Sequence, residues 1–469
     1  MIIVKVPENY FSERIYILNV VLNNFLGLNF TIQAENRKGL CISLTTSSTS
    51  HELILTDDFF QTTAQQWLTV SSLPQQPLSL WNSHEISFFS ILKEQNVPVI
   101  YGHPLPNQNF IQVENGCIRL GIDIFGSIFF MLTRYEEYVK PDRDQFDRFP
   151  ATASLAYQEG FLHRPIVNEY VEILWACMKK LWPGLKRKPR QFKMQVSHDV
   201  DLPYQHAFTG LPLLARNVAG ELLKRRKPRQ GLSRICTWSQ VKQGNLSADP
   251  FNTFDWLMDL SEKHGLTSAF YFITDTTDHK RDGNYDIRHP LICQLLQRIH
   301  QRGHEIGLHP SFNTYLDAVQ THKEFEILRQ VCVEAGIEQN SWGGRQHCLR
   351  WKVPLTWRCL ENSGLSYDST LTFADVAGFR CGTCYEYPVY DVESRESLDL
   401  VERPLVVMEC SVLNRQYMDM EKDLLRAFNH IRDLKMVCRQ FKGDFTLLWH
   451  NSMLHNVDLK SLYSDILSA

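Results

Sequence analysis

From Phe251 onward, short apolar runs alternate with helix-periodic stretches, and this alternation limits the possible folds more than any other feature of the chain. Residues 254–264 predict a helix, 268–273 (SAFYFI) a buried strand, 292–302 a helix and 304–309 a strand. A helix at 321–335, a strand with its exit loop at 341–351, a short helix at 357–363 and a strand end at 367–368 follow. Residues 406–410 and 446–449 read as late strands around a helix at 421–441. Repeated strand–helix units of this kind imply a parallel sheet, closed or nearly closed into a barrel.

With 469 residues the chain is too long for one compact domain, and its 43% hydrophobic content supplies a large core. The first half predicts a smaller α/β domain. Strands fall at 1–6, 40–45, 52–56 and 98–101, a helix at 10–26, and a polar loop with Pro74 and Pro77 at 64–95. Residues 122–138 (IDIFGSIFFMLTRYEEY) predict one helix, with Phe129, Phe130 and Leu132 facing a core and Arg134, Glu136 and Glu137 exposed. The charged run 142–149 reads as a solvated loop, and a helix at 166–181 closes this part. Two prolines and four basic residues in 183–192 (PGLKRKPRQF) mark a linker. The expected division is 1–187, an N-terminal α/β domain without recognisable chemistry, and 188–469, the (β/α) barrel.

A net charge of −3 argues against a general nucleic-acid binder. Twelve cysteines lack regular spacing, and the pair Cys381 and Cys384 has no second pair to complete a zinc site. Reduced thiols, a start interrupted by Glu8, Glu13 and Arg14, and no uncharged apolar run near ~18 residues give the expectation of a soluble, cytoplasmic protein. Residues 211–223 predict a helix, and 224–229 (KRRKPR) carry five basic side chains. That basic run reads as a solvated loop, in preference to an arm touching anionic lipid or a charged glycan carrier.

The chemistry centres on Gln195-Val196-Ser197-His198-Asp199-Val200-Asp201, an apolar run that ends in two carboxylates. Strand residues i and i+2 share a face, so Asp199 and Asp201 can converge where a barrel's strands end. Two like charges so close call for a cation or a shared proton. Three further strand ends carry polar groups. Residues 303–309 end in His309, 343–347 place Arg345 and His347 on one face, and Leu447-Leu448-Trp449 leads into His450. Together they suggest a hydrolytic site with an acid, a base and a possible metal.

These motifs resemble those of the NodB-type polysaccharide deacetylases of carbohydrate esterase family 4, over about residues 192–455. The matched elements are Asp199 and Asp201, the stretch Gly303–His309, Arg345, and Leu448-Trp449-His450. The part ahead of them resembles an uncharacterised bacterial N-terminal module. The resemblance implies a distorted (β/α) barrel of the polysaccharide deacetylase type. It also implies metal-assisted removal of an N-acetyl or O-acetyl group from a sugar of a bacterial surface polysaccharide or its precursor. Asp199 would be the base, His450 the acid that protonates the leaving amine, and Arg345 the group that orients Asp199. A divalent metal, zinc in the first instance, would be held by Asp201 and His309.

The departure is at Asn313, four residues after His309, where the family carries its second metal histidine. His347 could supply the missing imidazole, Asn313 with waters could hold a harder ion, or the site could bind no tight metal. The third option matches a metal-independent hydrolase of a cyclic amide, and a retired glycan-binding or scaffold barrel is a further alternative. Asp368, at another strand end, is either a support for the mouth of the site or a turn residue.

Overall fold

The computed structural model describes residues 1–45, 51–85 and 92–469. A first sheet contains β1 (Ile2–Val6), β2 (Phe30–Ala34), β3 (Leu40–Leu44) and β4 (Glu52–Leu55). After a separate hairpin, β5 (Ser79–Asn82) and β6 (Asn96–Val99), it gains β7 (Ile111–Glu114) and β8 (Cys117–Leu120). Its order is β2-β1-β3-β4-β8-β7. β1 (IIVKV) shows how the sequence makes such a strand: Ile2, Val4 and Val6 point into the core while Ile3 and Lys5 stay half-buried. Within the polar stretch expected at 64–95, residues 86–91 lie outside the described residues.

The second sheet holds the parallel strands expected from the alternation. In chain order they are β9 (Lys193–Val200), β10 (Ser268–Phe272), β11 (Glu305–Leu308), β12 (Gly343–Gly344) and β13 (Tyr367–Asp368), then β14 (Tyr387–Asp391), β15 (Glu396–Glu402), β16 (Val407–Met408) and β17 (Asp444–Leu448). The spatial order is β14-β15-β13-β12-β11-β10-β9-β17-β16, and only the β14–β15 pair is antiparallel. Closure is not achieved: among the described residues no ladder joins β14 to β16, so the strand order is open. The sheet nevertheless curls. β15 ends at Glu402 and β16, at the opposite edge, begins at Val407; the link between them can span no more than about 18 Å.

Of the strand and exit loop expected over 341–351, only Gly343 and Gly344 pair as strand. A Cβ on Gly343 would lie 1.8 Å from the Tyr367 ring, and one on Gly307 would lie 2.3 Å from Tyr271. The glycines therefore leave room for two tyrosine rings inside the curl, whose hydroxyls meet at 3.2 Å. β10 (SAFYF) is buried along its whole length, as a parallel strand covered on both faces should be, whereas β9 and β11 become fully buried only toward their carboxyl ends.

The single helix expected over 122–138 is broken. Ile124–Leu132 and Tyr135–Val139 are separate helices, with Arg134 between them in the left-handed region at φ 53°. Arg134, Glu136 and Glu137, expected at the surface, are buried. The cause is Arg380, from the far side of the chain, whose Nε and Nη2 donate to the two Glu137 oxygens at 2.9 and 2.6 Å. Arg134 Nε donates to the same carboxylate at 2.9 Å. The expected linker is also held in place: Arg190 stacks 3.6 Å over the Tyr385 ring. One hydrophobic core runs through both sheets.

Burial alone would raise the Glu137 pKa, but Arg380 and Arg134 pull it down to about 2 from 4.5. A depressed carboxylate contributes stability above its unfolded value and loses it as pH falls through the folded one. Between about pH 4.5 and 2 the protein should therefore lose stability faster than a Glu137→Gln variant, measured by urea unfolding at each pH. At pH 7 that variant should be less stable by about 3–5 kcal/mol, because it leaves two buried guanidiniums poorly paired. Equal pH slopes for the two proteins would remove Glu137 from this role.

Candidate active site

The carboxyl ends of β9, β11, β12, β16 and β17 meet at one point. Asp199 lies in β9 and Asp201 just beyond it, and both carboxylates approach the same imidazole. His309 Nε2 stands 3.2 Å from Asp201 Oδ1 and 3.8 Å from Asp199 Oδ2. His347 Nε2 lies 3.9 Å from Asp201 Oδ1. Asp201, His309 and His347 each offer one donor atom, all within 4.8 Å of one another.

The second nitrogen of each ring explains why those donors converge. His309 Nδ1 donates to the Arg345 carbonyl at 2.5 Å, and His347 Nδ1 to Asp282 Oδ1 at 2.9 Å. A neutral imidazole whose Nδ1 carries the proton presents a lone pair at Nε2. Two such lone pairs then face a carboxylate oxygen, Asp201 Oδ1, which is buried and has no hydrogen-bond partner. Such an arrangement is repulsive until a cation or a proton enters it. Backing metal-ligand histidines with a carbonyl or a carboxylate is the usual way to fix their tautomer. A divalent cation therefore fits the residues present, through two imidazoles and one carboxylate.

Burial raises the Asp201 pKa, but His347, His309 and His450 outweigh it and hold the group well below the usual carboxylate range. Burial lowers that of His347, and Asp201 and Asp282 carry it well above the histidine value. The pocket is built for positive charge.

Asp199 has a different environment from Asp201. Arg345 Nη1 donates to its Oδ1 at 2.8 Å. Arg345 is itself buried and fixed, donating from Nε to the Ser369 carbonyl and from Nη2 to Ser369 Oγ, with the Tyr271 ring 4.8 Å away. On the opposite side, His450 Nε2 lies 3.7 Å from Asp201 Oδ2. Its Nδ1 meets Glu409, a fully buried carboxylate that also accepts from the His450 backbone N–H at 3.0 Å. Burial lowers the His450 pKa, and Glu409 raises it well above the ordinary value.

Asn313 stands apart from this cluster. Its Nδ2 donates to the Thr277 carbonyl at 3.1 Å, and its Oδ1 accepts from Arg350 at 3.0 Å. Both polar atoms are committed to loop structure, so the expectation of Asn313 as a ligand is corrected; the third donor of the cluster is His347. Asp368 serves a turn, accepting from the Thr370 backbone at 3.0 Å, and burial pushes its pKa up to about 6.

Sequence reasoning did not single out two carboxylates. Asp282 sits in a loop, His279-Lys280-Arg281-Asp282-Gly283, that reads as an ordinary turn, yet it accepts from three backbone N–H groups and from His347. Glu409 had a usable signal: the run Val406-Val407-Met408-Glu409 ends an apolar strand in a carboxylate, as the stretch at Asp199 does.

The loop behind His347 is strained. Cys348 and Leu349 are successive non-glycine residues in the left-handed region, at φ 59° and 55°. Such residues cost about 1–2 kcal/mol each unless their surroundings impose the conformation. The clamp comes from the run 142–149, expected to be a solvated loop. Arg148 donates to the Cys348 carbonyl at 3.0 Å, Arg350 donates to the Phe146 carbonyl at 2.8 Å, and Tyr315 OH donates to Asp147. Arg148 is buried in this contact.

Residues 2–183 match the profile of a family of unknown function, DUF7033. That segment precedes every residue of the cluster. No curated protein sequence matches the chain. Among solved structures, a protein assigned as a polysaccharide deacetylase from Mycobacterium smegmatis aligns at 16% identity and a TM-score of 0.38, over 60% of this chain and 84% of its own. The Puue allantoinase aligns at 12% identity and a TM-score of 0.36, over 61% and 85%. A second protein assigned as a polysaccharide deacetylase, from Pseudomonas aeruginosa PAO1, aligns at 14% identity and a TM-score of 0.35, over 67% and 90%. Likeness at this level leaves the fold to be read from the strand order and the function from the side chains.

Arg148→Ala should release the clamped loop and misplace His347. The expected result is metal affinity weakened on the order of tenfold, the scale typical of lost outer support, with a thermal melt shifted by only a few degrees. Competition against a fluorescent chelator measures it; unchanged affinity would mean that the loop holds itself.

Proposed function

We propose that the chain is a metal-assisted hydrolase that removes an N-acetyl (or O-acetyl) group from a sugar of a bacterial surface polysaccharide or its precursor. The observation that supports this most is the division of labour between two carboxylates two residues apart. Asp201 belongs to the three-donor cluster, whereas Asp199 is held by a buried guanidinium beside it. The motif resemblance supplies the substrate class.

Asp201, His309 and His347 would hold the cation. Two imidazoles and a carboxylate with open positions suit zinc. When bound, the cation supplies electrophilic stabilisation for charge on the acyl oxygen and makes water easier to deprotonate. Asp199 takes the proton from the attacking water, and Arg345, donating to its Oδ1, keeps it aimed. His450, with Nδ1 held by Glu409, directs Nε2 into the mouth and gives its proton to the departing nitrogen. Without that proton an amine is a poor leaving group, so the acid matters most for amides.

Asp199→Asn should lower kcat for acetate release from N-acetylated amino sugars by 10²-fold or more, the usual scale for a lost general base, with metal content unchanged. Activity within twofold of the parent would sink the assignment. His450→Ala should impair amide hydrolysis by a similar factor and hydrolysis of an aryl acetate far less, since a phenolate leaves unaided. Equal losses on the two substrates would contradict its role as the acid.

A further inference from the structure

Between β9 and the helix Phe254–Lys263 the chain builds a helical arm. Helix Leu211–Ala219 continues through a π-helical turn, Gly220–Lys224, and the chain folds back as helix Pro228–Lys242. The two limbs pack closely at Gly231, where an added Cβ would touch Leu222 and Val218 at 3.6 Å. Trp238 Nε1 pins the return helix to the Thr209 carbonyl at 2.8 Å. The run 224–229 is therefore the exposed turn at the tip of a built hairpin, solvated as the sequence suggests but carried on two packed helices.

The surface of this hairpin is unusual in two respects. Leu211, Leu213, Leu222, Leu223, Leu232 and Ile235 are all exposed, Leu223 at 82%. Six large exposed apolar side chains within 25 residues exceed the single scattered exposures that are ordinary on a protein surface. The charge is equally one-sided. Residues 211–242 contain eight Lys and Arg and a single acid, Glu221, in a chain whose net charge is −3. Glu221 is buried and pairs with Arg225 and Arg234. Among the described residues Arg216, Lys224, Arg226, Lys227 and Arg229 have no ion-pair partner. Leucines that need cover, rimmed by cations that need anions, are the chemistry of an amphipathic helix lying in the interface of an anionic bilayer. No helix among the described residues is long and apolar enough to cross a membrane, so contact through the arm would be peripheral.

We propose that the arm 211–242 docks the protein on an anionic lipid bilayer. The arm follows β9 in the chain, ten residues after the strand end that carries Asp199 and Asp201. The docking itself stands on the arm alone and is independent of the chemistry proposed above.

The test is flotation of the full-length protein with vesicles of phosphatidylcholine alone or mixed with phosphatidylglycerol, at low and high salt. Binding is expected only with the anionic lipid, and it should fall steeply as salt rises. Lys224→Gln with Arg229→Gln should weaken partitioning on the order of tenfold or more. Leu223→Ser with Leu232→Ser should weaken it as well, with the thermal melt unchanged in both. No binding to anionic vesicles at low salt would overturn the proposal. So would binding that ignores lipid charge and both double variants. A dimer in sedimentation that Leu232→Ser abolishes, without vesicle binding, would assign the face to a second copy and overturn it as well.

Discussion

The candidate site depends on one convergence of donor atoms. Asp201 Oδ1, buried without a hydrogen-bond partner, faces the Nε2 atoms of His309 and His347. The fold commits the other ring nitrogens to a carbonyl and a buried carboxylate, so the rings cannot turn away without breaking those bonds. Buried polar atoms are nearly always satisfied in folded proteins, and an orphan at the convergence of strand ends needs an explanation. A divalent cation held by Asp201, His309 and His347 would satisfy all three donors at once, and the other polar groups flank that cluster. Asp199 and Arg345 form one flank, and His450 and Glu409 the other.

The sheet order positions those flanks. β9 lies between β10 and β17, so Asp199 and Asp201 emerge between His309, one strand beyond β10, and His450, at the end of β17. The first sheet contributes at a distance. Its following loop clamps the turn behind His347 through Arg148, and Glu137 meets Arg380 within a buried charge network. A segment without chemistry of its own thereby holds part of the site in shape.

Much of the site was legible from strand alternation. Asp199 and Asp201 converge as i and i+2 at a strand end should, but Arg345 and His347 do not share a strand face: β12 ends at Gly344 and His347 opens a short 3-10 turn, so the turn brings the imidazole to the cluster. Glu409 followed the same rule and could have been found. Asp282 could not, because its role is to accept backbone N–H groups of a loop, and nothing local distinguishes such an aspartate from a turn residue. Arg134 and Glu137 misled for a related reason: their partner Arg380 is 243 residues from Glu137, and charge at the end of an apolar helix usually means solvent. Full closure, one of the two forms expected of the sheet, is absent among the described residues at an edge where β16 has two residues and β14 runs antiparallel, features that helix and strand periods do not encode.

Metal stoichiometry is the most direct test of the central claim. Elemental analysis of gently purified protein should find about one divalent ion per chain, and Asp201→Ala and His347→Ala should each lose it while keeping the parent's circular dichroism spectrum. A parent protein that takes up no ion even after supplementation, or variants that retain the parent's full complement, would contradict the assignment of Asp201, His309 and His347 as a metal centre.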